Sequence, residues 1–102
     1  MTESTLEALN KSIDKWERLA SNGYDEETRI TAKECPLCRR FRKNGVLRCW
    51  LCPVYEKTKR SLCQGTPYED AVLFLHYKRD DFRRAARDEV DFLRSLLPAL
   101  NQ

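Results

Sequence analysis

Cys35-Pro36-Leu37-Cys38 and Cys49-Trp50-Leu51-Cys52-Pro53 are the stretches on which the fold of this chain turns: two C-x-x-C hooks ten residues apart, with Cys63 after ten more. Two thiolates three positions apart can face one ion while the backbone N–H groups between them donate to the sulfurs, and a second such pair completes a tetrahedron. Zinc accepts four sulfurs without redox chemistry, so Zn2+ is the expected cofactor, held by four of Cys35, Cys38, Cys49, Cys52 and Cys63. The two C-x-x-C pairs are the first assignment, and Cys63 can replace Cys49 or Cys52. His76 is a further candidate, although its place in an apolar run suits a packed or partly exposed histidine better. The competing cofactor is a four-iron four-sulfur (4Fe-4S) cluster, because Cys52-Pro53 echoes the Cys-Pro that closes some ferredoxin motifs. The C-x-x-C-x-x-C run of those motifs is missing. Thioredoxin-type catalysis wants its C-x-x-C at a strand-to-helix junction in an α/β pattern, which this chain lacks.

The rest of the chain sets the frame for these cysteines. With 102 residues it fits one domain, and a chain this short has a modest core, which a metal can supplement. All five cysteines fall within residues 35 to 63, and no basic-then-apolar secretion signal opens the sequence. A cytoplasmic location is therefore expected, that of a prokaryotic host or a phage-infected cell, where thiols stay reduced and clustered cysteines point to metal binding before disulfides. The longest apolar run, Ala71 to Leu75, falls far short of the roughly 18 residues of a membrane span, so no membrane partner is expected.

The net charge of +3 is unevenly spread. Residues 1 to 34 carry −3, residues 35 to 63 carry +7, and residues 64 to 102 carry −1. In the middle block Arg39, Arg40, Arg42, Lys43, Arg48, Lys57, Lys59 and Arg60 face Glu56 alone. Together with Phe41, Trp50 and Tyr55 they make the candidate binding surface. Cations interleaved with aromatics grip phosphates and stack on bases, so nucleic acid is one partner class. A zinc held by four thiolates carries −2, which part of this charge offsets. No recognition-helix or aromatic strand motif accompanies it, and a protein partner is the first expectation. Catalysis lacks its parts: one histidine without an evident Ser or Cys partner, three glycines, and no paired-carboxylate motif apart from helix surface. The chain reads as a non-enzyme.

Ser4 and Glu7 have capping-box spacing, so a first helix is expected to start there and to stop before Gly23. Leu6, Leu9, Ile13, Trp16 and Ala20 form its apolar stripe, and Lys11, Asp14, Lys15, Glu17 and Arg18 fall on its other faces. Residues 21–34 predict a loop with a β-tolerant piece at 28–31. Asn44-Gly45 predicts a hairpin between the cysteine pairs. Thr66-Pro67-Tyr68-Glu69 is a second capping box with proline at the first helical position. Behind it Val72, Leu75, Phe82, Ala86, Val90, Leu93 and Leu97 keep helical spacing, with Phe92 and Leu96 widening the stripe up to Pro98. Lys78-Arg79-Asp80-Asp81 interrupts it, which favours two helices over one, with Asp80 or Asp81 as cap. The expected fold is thus mostly α, a single metal-stabilised domain over residues 1–102. Its parts are an N-terminal helix (1–22), a cysteine-rich zinc module with a short hairpin (23–65), and a helical region of one or two helices (66–98).

Five segments in order, Ser12-Ile13-Asp14-Lys15-Trp16-Glu17, Cys35-Pro36-Leu37-Cys38, Cys49-x-x-Cys52-Pro53-Val54, Cys63-x-Gly65-Thr66-Pro67-Tyr68 and Glu89-x-x-Phe92-Leu93-x-x-Leu96-Leu97-Pro98, resemble a group of small uncharacterised proteins of bacteriophages and prokaryotes. The resemblance spans nearly the whole chain and implies one integrated domain. It assigns no activity to any residue. Its phage association implies an adaptor or an inhibitor of a host protein.

Overall fold

A computed structural model describes residues 2–23, 35–43, 46–60, 63, 65–74 and 79–98. The chain is mostly helical, as its periodicity demands. Helix α1 spans Glu3–Asn22 and is capped by Thr2, whose Oγ1 accepts from the Thr5 N–H at 3.2 Å. The cap therefore lies two residues ahead of Ser4, where the capping-box spacing put it, because the Thr2 hydroxyl also donates to Thr5 Oγ1 at 2.9 Å and closes the first turn there. At the other end Gly23 takes φ 80° and its N–H bonds to the Leu19 carbonyl, a conformation open to glycine and costly for other residues.

Between the long helices the cysteine region is more helical than its sequence suggested. Helix α2 (Pro36–Phe41) leads into a pair of two-residue strands, β1 (Arg42–Lys43) and β2 (Val46–Leu47). They pair antiparallel, with Arg42 opposite Leu47 and Lys43 opposite Val46, the register a two-residue reversal requires. Asn44-Gly45 itself lies outside the described residues. A 3-10 turn (Cys49–Leu51) and helix α3 (Pro53–Thr58) follow. Both short helices start the same way, with a cysteine as N-cap and proline just inside, Cys35-Pro36 and Cys52-Pro53. Proline is pre-set for that position and has no N–H to lose there.

Helix α4 (Pro67–Leu73) opens as its capping sequence predicts, with Thr66 Oγ1 accepting from the Tyr68 N–H at 3.3 Å. The Glu69 carboxylate reaches one residue further back than a standard capping box and accepts from the Gly65 N–H at 2.6 Å. The helix ends at Leu73, and α5 (Arg79–Arg94) is a separate element. Asp80 and Asp81 lie inside the first turn of α5, where their charge favours the helix start, and not at its cap. The early end of α4 also moves its buried face. Val72 and Leu73 are exposed, and Tyr68, Ala71 and Phe74 meet the core instead.

The core lies between α1 and α5, with α4 against α5 and α2 against α1. Leu9, Ile13, Trp16, Leu19 and Ala20 of α1 face Phe82, Ala86, Val90 and Leu93 of α5, and all are buried. Each large side chain so buried contributes about 1.5–3 kcal/mol. Polar ties cross the same seam: Arg83 Nε donates to the Ala20 carbonyl at 3.0 Å, and Arg94 pairs with Glu17. Leu37, Phe41 and Val54 extend the core into the cysteine region. The loop expected over residues 24–34 lies outside the described residues, whereas Ser21 and Asn22 belong to α1.

Candidate metal centre

The short helices carry their thiols to one place. Cys35, Cys38, Cys52 and Cys63 all line a cavity of about 220 Å³ on the face of α1. Cys35 and Cys38 arrive on the first turn of α2, Cys52 as the cap of α3, and Cys63 just before α4. Cys63 holds φ 61°, the left-handed region that non-glycine residues seldom occupy, and its carbonyl accepts from Thr66 Oγ1 at 2.7 Å. The cap of α4 thus also fixes the backbone of the fourth thiol.

Cys35 and Cys38 share a hydrogen bond, so their thiols are coupled. A hydrogen bond with Cys38 lowers the Cys35 thiol to about 6, against the opposing effect of burial; the backbone N–H groups of Cys38 and Leu37 and the charge of Lys15 also lower it. Cys38 is shifted steeply upward, first by the same bond and by burial, then by the charges of Cys35, Cys63 and Cys52. One proton leaves the pair readily and the second is held, the behaviour of thiols close enough to repel as anions.

Helices α1, α4 and α5 complete the wall. Ser12 Oγ lies 4.0 Å from Cys35 Sγ, and Lys15 and Trp16 stand one turn further along α1. Lys15 is only 7% exposed, which overturns its expected place on an outer face of the helix. A lysine is rarely buried without anionic company, and the thiols provide it. Tyr68 of α4 packs its ring edge-on to Trp16, with centroids 6.0 Å apart. Burial and then the charges of Cys63, Cys35, Cys38 and Glu89 push its hydroxyl up to about 12. Glu89 of α5 is 3% exposed, and its Oε1 has no hydrogen-bond partner among the described residues. Burial first, and the Cys35 charge second, push its carboxyl up to about 8. Leu37, Val54 and Leu93 line the remainder.

Among the described residues no group of three or more His, Cys, Asp or Glu side chains is arranged, as it stands, to hold a metal ion. The four thiols share a cavity instead of converging on a point. Cys49 lies in the 3-10 turn, and its side chain, like that of Lys43, falls outside the described residues. His76 falls outside them too. Lys15, Tyr68 and Glu89 were not singled out by sequence as site residues; the signal available for Lys15 was its i+3 spacing from Ser12, which shares its helix face.

The candidate binding surface is divided. Phe41 is buried, and the Arg40 guanidinium lies 5.3 Å from its ring centroid. Arg48 turns back to its own segment, its Nε donating to the Phe41 carbonyl at 3.4 Å. Tyr55 is half-buried, whereas Arg39, Lys57, Lys59 and Arg60 are exposed. Trp50 is 59% exposed and Leu51 49%, side by side on the 3-10 turn, and Val46 is exposed on β2. Beside the turn an open groove of about 830 Å³ is lined by Arg40, Arg48, Lys57, Leu51, Pro53 and residues at the ends of α1 and α5. No helix among the described residues is long and apolar enough to cross a membrane. Neither family models, curated proteins nor solved structures yield a match to this chain.

Proposed function

We propose that this chain is a small non-enzymatic docking protein. Cys35, Cys38, Cys52 and Cys63 hold a metal centre that stiffens the segment between α2 and α3, and this segment presents Trp50 and Leu51 to an acidic segment of a protein partner. The observation that carries the reading is the exposure of Trp50 and Leu51 together on one turn. Large apolar side chains held in water by a short turn are unfavourable unless they meet something, and Trp with Arg is the composition of interface hot spots. Arg40, Arg48 and Lys57 line the adjoining groove with Glu56 as the one acid, so an acidic, partly apolar segment complements it. Such a role is that of an adaptor or inhibitor, in line with the phage-type resemblance of the sequence. Cys63 enters the ligand set because it lines the same cavity as Cys35, Cys38 and Cys52.

Selection of displayed peptides on the full-length chain tests this, with a Trp50→Ala chain and labelled DNA and RNA alongside. Enrichment of acidic peptides with an apolar anchor, lost on Trp50→Ala, is the expected result. Absence of any enrichment dependent on Trp50 would overturn it. So would nucleic-acid binding whose affinity falls steeply with salt, since eight cations meeting phosphates give such a slope.

A further inference from the structure

The groove beside the Trp50 turn is built from cations that converge on it from three parts of the chain: Arg40 from α2, Arg48 from the segment after β2, and Lys57 from α3. Both arginines are anchored on Phe41. The Arg40 guanidinium lies 5.3 Å from the centroid of its ring, and Arg48 Nε donates to its carbonyl at 3.4 Å. Two guanidinium groups held in this way lose less freedom on meeting a ligand than two that sweep through solvent. Among the described residues none of the three cations forms an ion pair, although Glu56 lines the same groove.

We infer that this groove recognises a phosphorylated side chain on the partner's segment, with Arg40, Arg48 and Lys57 as the groups that hold the phosphoryl oxygens. This rests on the proposed docking role and names the acidic group that the partner supplies. Three cations against Glu56 leave the groove at +2, and a phosphorylated side chain carries about −1.5 to −2 at neutral pH in one compact group. A single carboxylate offsets half of that charge. A run of carboxylates offsets all of it but spreads along the groove past Glu56, which repels them. Guanidinium forks also match phosphoryl oxygens two at a time, and lysine adds a point charge. The remaining wall fits a peptide. Leu51, Pro53, Leu96 and Pro98 are apolar, and Leu51 belongs to the Trp50 turn as well, so the groove continues the surface assigned to the partner. A nucleic-acid strand fits less well, because bases need aromatic faces to stack on. The one aromatic among the described lining residues, Phe41, is 6% exposed with Arg40 against its ring.

The test uses the full-length chain and peptide libraries that are alike except at one fixed central position, which is phosphoserine, serine or aspartate. The phosphoserine peptides are expected to bind more tightly than their serine and aspartate counterparts by roughly tenfold to a hundredfold, the size of one hydrogen bond to a charged group. Arg40→Gln and Lys57→Gln, both at exposed positions, are expected to remove most of that preference. Arg39→Gln makes the same charge change at an exposed position of α2 outside the groove and is expected to keep it. Equal binding of the aspartate and phosphoserine peptides would overturn the phosphoryl group while leaving the docking role standing. A preference that all three variants lose alike, or keep alike, would overturn the groove as its site. Single-stranded DNA that displaces the phosphoserine peptides at equal concentration would overturn a peptide as the occupant. A chain that binds no peptide of any library would overturn both this inference and the docking role.

Discussion

At the residue scale the instructive positions are Lys15 and Glu89, two charged side chains on opposite helices that both end up buried. Helical periodicity assigns a charged residue to water, and for Lys11, Asp14 and Arg18 it is right. It fails at Lys15 and Glu89 because periodicity knows only apolar partners, and these two face thiols. The cysteines themselves were legible as a set. That Cys63 joins Cys35, Cys38 and Cys52 was not, since spacing ranked Cys63 last and only the fold brings it to the cavity they line. Glu89 makes the burial measurable. Its folded carboxyl holds a proton up to about 8, against 4.5 when exposed, so the folded chain binds more protons than the unfolded one between these values. Stability from this group is complete below about 4.5 and falls as pH rises through about 8, by on the order of a few kcal/mol. Lys15, Tyr68 and the four thiols face the same cavity and are present in parent and variant alike. Urea unfolding at roughly pH 5 and pH 9 is expected to show a smaller loss of stability for Glu89→Gln than for the parent. Equal losses in the two chains would contradict a buried, protonated Glu89.

At the element scale the sequence announced the long helices and concealed the short ones. Stripes of four or more turns stand out against any background, which is why α1 could be read directly; over 66–98 the charged interruption favoured two helices while leaving one allowed, and the structure has two. Helices α2 and α3 have six residues each, too few for a periodic pattern. Their one signal is the repeated Cys-Pro, which can be read as metal chemistry or as a helix start and proves to mark a helix start. In α4 the stripe was drawn one residue off: Val72 belonged to a pattern that ran on toward α5, and the end at Leu73 turns Ala71 inward instead. Thr66 is the residue on which this element depends, since it caps α4 and holds the carbonyl of Cys63. Thr66→Ala is expected to cost about 1 kcal/mol from the lost cap, measured by chemical denaturation. With the proposed metal centre, the same variant should also weaken retention of metal in competition with a chelator. A stability loss with unchanged metal retention would mean that the cap and the fourth thiol are independent.

At the scale of the whole molecule, α1 and α5 form the main seam, and the cysteine region packs on α1 through α2. The twelve residues lining the thiol cavity all fall within the five sequence segments that carry the resemblance, although no one segment supplies more than four of them. The cavity is therefore where the separated parts of the chain meet. On the proposed reading the metal centre and the exposed Trp50 turn both belong to residues 35–63, and loss of the centre should loosen the turn more than the α1–α5 seam. What the sequence could not supply was the meeting of separate segments: spacing pairs Cys35 with Cys38 and Cys49 with Cys52, and the folded chain also brings Cys63 to the cavity that Cys35, Cys38 and Cys52 line. The most direct measurement is the metal content per chain, by elemental analysis, of Cys63→Ser beside Cys49→Ser, both purified as the parent is. Cys49→Ser is expected to keep the parent's metal content and Cys63→Ser to lose it; metal lost from Cys49→Ser and kept by Cys63→Ser, or a parent without bound metal, would contradict the centre proposed here.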